Sequence, residues 1–382
     1  MESDTRVTVI TCAPNFPKGQ VFDGYKNKLW QVEYISGIRV IRVWTYMAPN
    51  EGVVRRTFDY LSFMVSAVFA SLFVRKIDLV VGTSPQFFTV CAAYVVARLK
   101  RLPWIFELRD MWPASISSVG ALRSKSVGRL LTQIEEFLYS RASAIVPVTD
   151  SFKDNLVSRG IAPHKIFVVT NGVDADFFSG DIACSNISEQ FRLHEKFVVG
   201  YLGTIGMAHG LETLVEAAAK MQQSEGFEAV HFLIIGEGAQ KNELRQKINE
   251  KKLQNISVCS GIAKREVPAH LALMDVGVVH LKKSEVFDSV IPSKIFEYMT
   301  MGIPILHCVP GESAKIVVEG EAGLFVAPED PEDLVCAIKK IYLDCELRHA
   351  LGAKGVVVAQ KYDRRKLASK MLRVCSEIAL RH

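Results

Sequence analysis

Short, continuously apolar runs recur along the chain, and stretches with helically spaced apolar positions separate them. In the first half Val7–Thr11, Gly37–Trp44, Leu79–Gly82, Trp104–Leu108, Ala144–Val148 and Phe167–Thr170 read as strands. Pro85–Lys100, Leu122–Arg141 and Ser151–Arg159 read as the helices between them. Strands apolar on both faces, alternating with helices, imply a parallel sheet covered on both sides. Asn171–Cys184 is polar, contains Gly and Asp, and interrupts the pattern as an interdomain linker. The alternation then restarts. Strands are predicted at Val198–Leu202, Val230–Ile235, Ile256–Cys259, Val276–His280 and Pro304–Cys308. Helices are predicted at Leu211–Gln223, Lys241–Lys252, Arg265–Leu273, Ser293–Met301 and Asp330–Leu343. Two doubly wound α/β domains in tandem follow, with ligands expected at strand carboxyl ends and in the cleft between the domains.

Thr57–Val74 is almost entirely apolar, with Arg55-Arg56 before it and Arg75-Lys76 after it. Its length is at the lower edge for a bilayer span, and Asp59 weakens that reading. A core helix of a βαβ unit and a helix lying on a membrane surface both remain open. The 382 residues allow two domains, and 49% hydrophobic with 23% charged content is ordinary for globular α/β material. Lys and Arg number 21 against 15 Asp and Glu through Gly180, and 25 against 26 beyond it. A basic first half suits an anionic surface or substrate. Eight cysteines are scattered without a C-x-x-C, which argues against zinc or disulfides and for a reducing cytoplasm. Met1 leads straight into polar residues, so no signal peptide is evident.

The densest candidate chemistry lies in Asp288–Pro304. Pro292 and Ser293 read as a helix start, and Gly302 with Pro304 as its stop. The free amides of such a start, with Lys294 beside them, suit a phosphate. Glu297, one turn on, faces the same way and suits a ribose diol. A surface Lys–Glu pair is the plainer reading of the same spacing. Three further loops end second-domain strands. Gly203-Thr-Ile-Gly-Met-Ala-His-Gly210 offers glycines for close backbone approach to a phosphate, with His209 as an added donor. Gly236-Glu-Gly238 carries only part of the dinucleotide fingerprint. Gly261-Ile262-Ala263 is placed to face a base. In the first half, Arg109, Asp110 and Trp112 crowd one strand-end loop, either as functional groups or as an ion network with Glu107. Asp174-Ala-Asp176 has a D-x-D spacing but reads as turn-forming.

Taken together these residues resemble family 4 of the GT-B glycosyltransferases, retaining enzymes that use nucleotide-sugars. The landmarks run in order over most of the chain. They are Thr83-Ser-Pro85, Phe106–Pro113, Glu135/Glu136 with Tyr139–Ala142, Asn171-Gly-Val-Asp174, Gly200–Gly210, Gly236-Glu-Gly238, Val290–Glu297, Ala322-Gly-Leu and Pro328-Glu-Asp-Pro331. The subgroup they are most similar to builds O-antigen and capsule repeat units and includes N-acetyl-L-fucosamine transferases acting on lipid-linked acceptors.

The resemblance implies two Rossmann-like domains, residues 1–180 with 363–382 on the acceptor side and 181–362 on the donor side. The last helix, from Tyr362, is then expected to cross back onto the first domain. It implies a UDP-sugar donor as co-substrate, no metal and no other cofactor. It assigns Gly203, Thr204, His209, Gly210, Gly236, Gly238, Ile262, Ser293 and Lys294 to donor binding, with Glu297 on the ribose. Arg109 and Asp110 fall opposite, near the acceptor and the anomeric carbon. The implied acceptor is polyprenyl-diphosphate-linked or an oligosaccharide, met at the inner face of the cytoplasmic membrane; no nucleic acid is implied.

Three departures stand out. Thr204 and His209 occupy positions where many relatives carry Arg and Lys. Ser289 stands where many carry a first glutamate. Relatives also begin with a strand, a Gly-rich loop and a helix, roughly 30 residues, ahead of the strand that Val7–Thr11 matches. A misassigned start is the expectation here, with a truncated, inactive homologue as an alternative. A nucleotide-sugar 2-epimerase on the same scaffold is the other.

Overall fold

A computed structural model describes residues 5–15, 19–48, 53–113, 124–178 and 193–381. In the first half the elements are β1 (Thr8–Thr11), β2 (Trp30–Ile35), β3 (Ile38–Val43), α1 (Val53–Ser71), β4 (Val80–Thr83), α2 (Phe87–Lys100), β5 (Trp104–Leu108), α3 (Lys125–Arg141), β6 (Ala144–Pro147), α4 (Asp150–Ser158) and α5 (Ala175–Phe178). The second half holds β7 (Phe197–Leu202), α6 (Glu212–Gln222), β8 (Val230–Ile235), α7 (Lys241–Glu250), β9 (Ile256–Cys259), α8 (Val267–Leu271), β10 (Val276–His280), α9 (Glu285–Asp288), α10 (Lys294–Thr300), β11 (Ile305–Cys308), α11 (Glu312–Glu319), β12 (Gly323–Phe325), α12 (Pro331–Leu343) and α13 (Cys345–Ala359). A last helix, α14 (Arg364–Leu380), ends the described chain.

The second half is a Rossmann-like domain with a six-stranded parallel sheet in the order β12-β11-β10-β7-β8-β9. Helices cover both faces, so its strands are buried on both sides and its core divides into two layers. The first half is also α/β, but its sheet is divided into β1-β3-β2 and β4-β5-β6. Among the described residues β1 and β4 each end a sheet, and Val7, Val9 and Val81 are exposed along those ends. The run at Phe167–Thr170 does not form a regular strand. It still extends β6, because Phe167 N–H donates to Ile145 O and Val169 N–H to Pro147 O, both at 3.0 Å. The hairpin partner β2 was not anticipated. Ser36 and Gly37 make its two-residue turn with φ of 49° and 81°, the left-handed pair that a tight hairpin requires.

α1 packs its small face, Ala67, Ala70 and Ser71, against the first half, with Ala70 joining Ile41, Val43 and Val74. Its opposite face is apolar and open: Phe58 is 60% exposed and Phe69 61%. No helix among the described residues is long and apolar enough to cross a membrane.

The chain crosses between the halves twice, and the crossings touch. Val173 N–H donates to Tyr362 O at 3.0 Å, and Arg364 N–H to Val173 O at 2.9 Å. Gly172 has no room for a side chain there, since a Cβ would lie 2.2 Å from Tyr362 O. The segment expected as the interdomain linker is built into the structure at its start, where Val173, Phe177 and Phe178 pack into the second-domain core. Its later part, including Cys184, falls outside the described residues. α14 lies back on the first half, where Val374 and Ile378 pack with Ile105, Ala144 and Val146 of β5 and β6.

A third tie spans the halves. The Glu312 carboxylate accepts from Asp150 N–H (3.0 Å), Ser151 N–H (2.7 Å) and Ser151 Oγ–H (2.8 Å) at the start of α4. An anion at a helix start, held by three donors, stabilises the domain pair. Glu312→Ala is expected to cost on the order of 2 kcal/mol, read as a lower midpoint of thermal unfolding. An unchanged midpoint would mean that this carboxylate contributes nothing to domain pairing.

Candidate active site

β7 has β8 on one side and β10 on the other, so the strand order reverses at β7. The loop leaving its carboxyl end is therefore where this type of sheet binds a ligand. That loop, Gly203–Gly210, is held from below. Gly203 N–H donates to Ile235 O and Ile205 N–H to Glu237 O, both at 2.9 Å, and Gln240 N–H donates to Ile205 O at 3.0 Å. A Cβ on Gly236 would lie 1.8 Å from Gly203 O, and one on Gly238 would lie 2.2 Å from Ile205 O. The two glycines assigned from the sequence to donor contact thus bring two strand-end loops into touch. Thr204 is exposed on the loop, and its carbonyl accepts from Tyr201 Oη–H at 2.8 Å.

Lys294 rises from α10 beneath this loop. Its Nζ lies 3.8 Å from the centre of the Tyr201 ring, and a Cβ on Gly203 would come within 2.9 Å of it. The side chain as a whole is half-buried, but the ammonium is sealed and has no hydrogen-bond partner. Burial lowers its pKa from the ordinary 10.5 to about 7, against the opposing pull of Glu297. The Tyr201 ring face offsets part of that penalty. His209 Nδ1 is sealed and unpartnered in the same way. Burial, then the charge of Lys294, pulls the His209 pKa down to about 4, so the ring is neutral at pH 7. The Lys294 nitrogen beneath the glycine loop and His209 Nδ1 within that loop are both buried without a partner, and together suit the oxygens of an anion.

The helix contributes less than its sequence suggested. α10 spans seven residues rather than Ser293–Met301, and Ser293 is itself helical, with φ −59°, ψ −25° and no side-chain cap. The turn already begins at Pro292, whose carbonyl accepts from Ile295 N–H at 3.2 Å. Gly302, at φ +68°, closes it with Gly302 N–H to Met299 O and Ile303 N–H to Tyr298 O. So short a helix leaves the Lys294 charge as the main electrostatic feature.

His280, at the end of β10, fixes the loop from the other side. Its Nδ1 lies 2.8 Å from His209 O, so it carries the proton; its Nε2 lies 3.2 Å from Glu329 N–H, so it accepts. Both ring nitrogens are used by a neutral imidazole, and burial lowers its pKa further. Gly210 fits against this ring, where a Cβ would meet His280 Cε1 at 2.9 Å.

Glu297 sits one turn beyond Lys294. Burial raises its pKa, against the charges of Lys294, Arg364 and Lys264. Arg364 lines a cleft of about 560 Å³ between the halves, together with Ser293, Asn171, Glu107 and Arg109. Arg109 Nη2–H donates to Asn171 Oδ1 at 2.6 Å, and its Nη1 lies 3.8 Å from Glu107 Oε1. Glu107 Oε2 accepts from Thr83 Oγ1–H at 2.6 Å. Asp110 is half-buried next to Arg109. Arg109 and Ser293 therefore share the cleft, whereas Gly203, His209, Gly210 and Lys294 gather within the second domain. Ile262, after β9, packs half-buried against the second-domain core. Asp176 of the D-x-D pairs with Arg365, and no set of three metal-ligating side chains is gathered among the described residues. Tyr201, His280 and Arg364 shape the site and were not singled out from the sequence. Tyr201 reads there as a core strand residue, and Arg364 as one more charge on a basic helix.

Two facing α/β domains, a glycine loop over a buried cation at the switch point and a polar interdomain cleft define the GT-B glycosyltransferase class. The family model described as "Glycosyl transferase 4-like domain" matches residues 2–172, and that described as "Glycosyl transferases group 1" matches residues 196–344. The chain belongs to this glycosyltransferase family, family 4 of the GT-B enzymes. It is 24% identical to the putative colanic acid biosynthesis glycosyl transferase WcaI of Escherichia coli, over 88% of this chain and 84% of that protein. The crystal structure of Anabaena Alr3699/HepE in complex with UDP-glucose superimposes with a TM-score of 0.70 at 18% identity, covering 89% of this chain and 86% of that one. An α,α-trehalose-phosphate synthase (UDP-forming) from Burkholderia vietnamiensis gives 0.74 at 14% identity, covering 99% and 100%. At such identities these likenesses establish the fold.

Lys294→Met is expected to leave the protein as stable or more so, because a buried unpaired charge is removed. The pH dependence has a sign. A lysine whose folded pKa lies near 7, against 10.5 when unfolded, binds fewer protons in the folded state, so stability rises with pH between those values. Lys294→Met should flatten that rise, as measured by denaturant unfolding at pH 7 and pH 9. Equal slopes in both proteins would contradict the burial of the charge.

Proposed function

We propose that this glycosyltransferase transfers a sugar with retention from a UDP-sugar to a polyprenyl-diphosphate-linked or oligosaccharide acceptor in bacterial surface polysaccharide synthesis. An N-acetylated amino or deoxy sugar is the proposed cargo. The observation that carries this reading is the sealed Lys294 ammonium under the Gly203–Gly210 loop. Once protonated as an anion arrives, it offers a charge, with the neutral His209 ring as a further donor, to a leaving diphosphate. Glu297 is placed to accept from a ribose diol. Arg109 and Asp110 face the acceptor. The bond from the anomeric carbon to the diphosphate oxygen breaks, a bond to the acceptor oxygen forms on the same face, and the acceptor proton passes to the leaving phosphate. Protein cations stabilise the charge that develops, and no metal is required in this scheme. The colanic acid role in the name of the Escherichia coli relative and the UDP-glucose complex of HepE support the polysaccharide context and the donor class.

In this reading the enzyme works at the inner face of the cytoplasmic membrane. The open apolar face of α1 supports this, with exposed Val54, Phe58, Val65 and Phe69 and with Arg55, Arg56, Arg75 and Lys76 at its ends. Trp30 and Phe73, in edge contact at 6.0 Å, extend the same surface.

The test is UDP release from a panel of UDP-sugars, with and without a polyprenyl-diphosphate-sugar acceptor. Turnover that depends on acceptor, with the anomeric configuration kept, is expected. Turnover of UDP-sugar alone would indicate an epimerase instead. Cosedimentation with anionic vesicles at low salt is expected, and full recovery in the supernatant would contradict the membrane placement.

A further inference from the structure

Two arginines far apart in sequence face the interdomain cleft from a shared support. Arg109 ends β5 and Arg364 opens α14. Consecutive residues of the crossing segment hold them: Arg109 Nη2–H donates to Asn171 Oδ1 at 2.6 Å, and Arg364 Nη2–H to Gly172 O at 3.1 Å. Both acceptors are neutral, so neither bond cancels a charge. Glu107, 3.8 Å from Arg109, and the more distant Glu297 offset only part of the positive field. The support is rigid, because Gly172 is packed against Tyr362 O and the two crossings are hydrogen-bonded to each other. Each guanidinium has several N–H donors in a planar fork, the geometry that matches phosphate oxygens in pairs.

These arginines are distinct from the cation under the glycine loop. Lys294 and His209 lie inside the second domain and do not line the cleft, whereas Arg109 and Arg364 do. One cation under the loop and a pair of arginines in the cleft suit two separate anions. We infer that the cleft seats the phosphate or diphosphate ester of the acceptor between Arg109 and Arg364, with the Ser293 hydroxyl on the same wall. The inference rests on the donor reading of the Lys294 site. At about 560 Å³ the cleft has room for a headgroup with its sugar.

The experiment titrates inorganic pyrophosphate into the protein saturated with UDP, by calorimetry, and titrates UDP separately. Wild type is expected to bind pyrophosphate on top of UDP. Arg364→Ala and Arg109→Ala should each weaken pyrophosphate about tenfold or more while leaving UDP affinity unchanged. Arg364→Lys, which keeps the charge and loses the fork, should fall between, and unchanged unfolding midpoints show that the variants are folded. In turnover, Arg364→Ala should raise KM for a diphosphate-linked acceptor and leave KM for the donor unchanged. Loss of UDP affinity in Arg364→Ala with pyrophosphate binding intact would assign this arginine to the donor and overturn the inference. UDP binding to wild type without any further pyrophosphate binding would overturn it too, with the donor reading standing. Failure of UDP to bind wild type would instead overturn the donor reading, and this inference with it.

Discussion

A buried ammonium with no hydrogen-bond acceptor is the feature on which the rest of the site depends. Lys294 Nζ has the Tyr201 ring on one side, the Gly203 backbone close by and no carboxylate within bonding distance. Isolation of this kind costs several kcal/mol when the group is charged. That is a sizeable share of the total stability of a domain. The protein responds by releasing the proton near neutral pH, and a ring face partly solvates the charge that remains. A group so held gains from an incoming anion what water supplies elsewhere. The neighbouring devices keep it isolated. Gly236 and Gly238 let the β8 loop press the β7 loop down, and His280 pins His209 O to the Glu329 turn.

The same arrangement explains why the halves must be held in register. The glycine loop belongs to the second domain alone, while Arg109 and Glu107 come from the first. The paired crossings at Val173 and Tyr362–Arg364 fix the hinge end of the cleft, and the Tyr362 ring packs tilted against Phe296 of α10, with centroids 4.4 Å apart. The helix that carries Lys294 and Glu297 is thereby packed against the hinge. Glu312 adds a separate tie at the start of α4. Small movements at either tie change where Ser293 stands relative to Arg109.

Much of this was legible in the chain. Continuous apolar runs alternating with helices define five of the six second-domain strands, because strands buried on both faces need no polar alternation; β12, only three residues long, was not anticipated. The Lys294–Glu297 spacing and the glycine loop were visible for the same local reason. β2 was missed because its flanks are loop-rich, although Trp30 to Tyr34 alternates apolar and polar and Ser36-Gly37 was a usable turn signal. α13 was missed because Gly352 and Gly355 lower its helical character. Gly352 is needed where the helix crosses the α10 terminus, since a Cβ there would lie 2.2 Å from Gly302 O. The Arg364–Gly172 and Glu312–Ser151 contacts join residues remote in sequence, and no local pattern encodes them. Tyr201 looked like core and is core; its second use, as the floor beneath a cation, depends on a helix many residues later.

The central claim is that Lys294 is held partly uncharged until an anion arrives. Calorimetry of UDP binding at pH 8, in buffers of different ionisation enthalpy, measures the protons exchanged. Net proton uptake in the wild type, absent from Lys294→Met, is the result this account predicts. Tight UDP binding with no proton uptake, or with proton release, would contradict it.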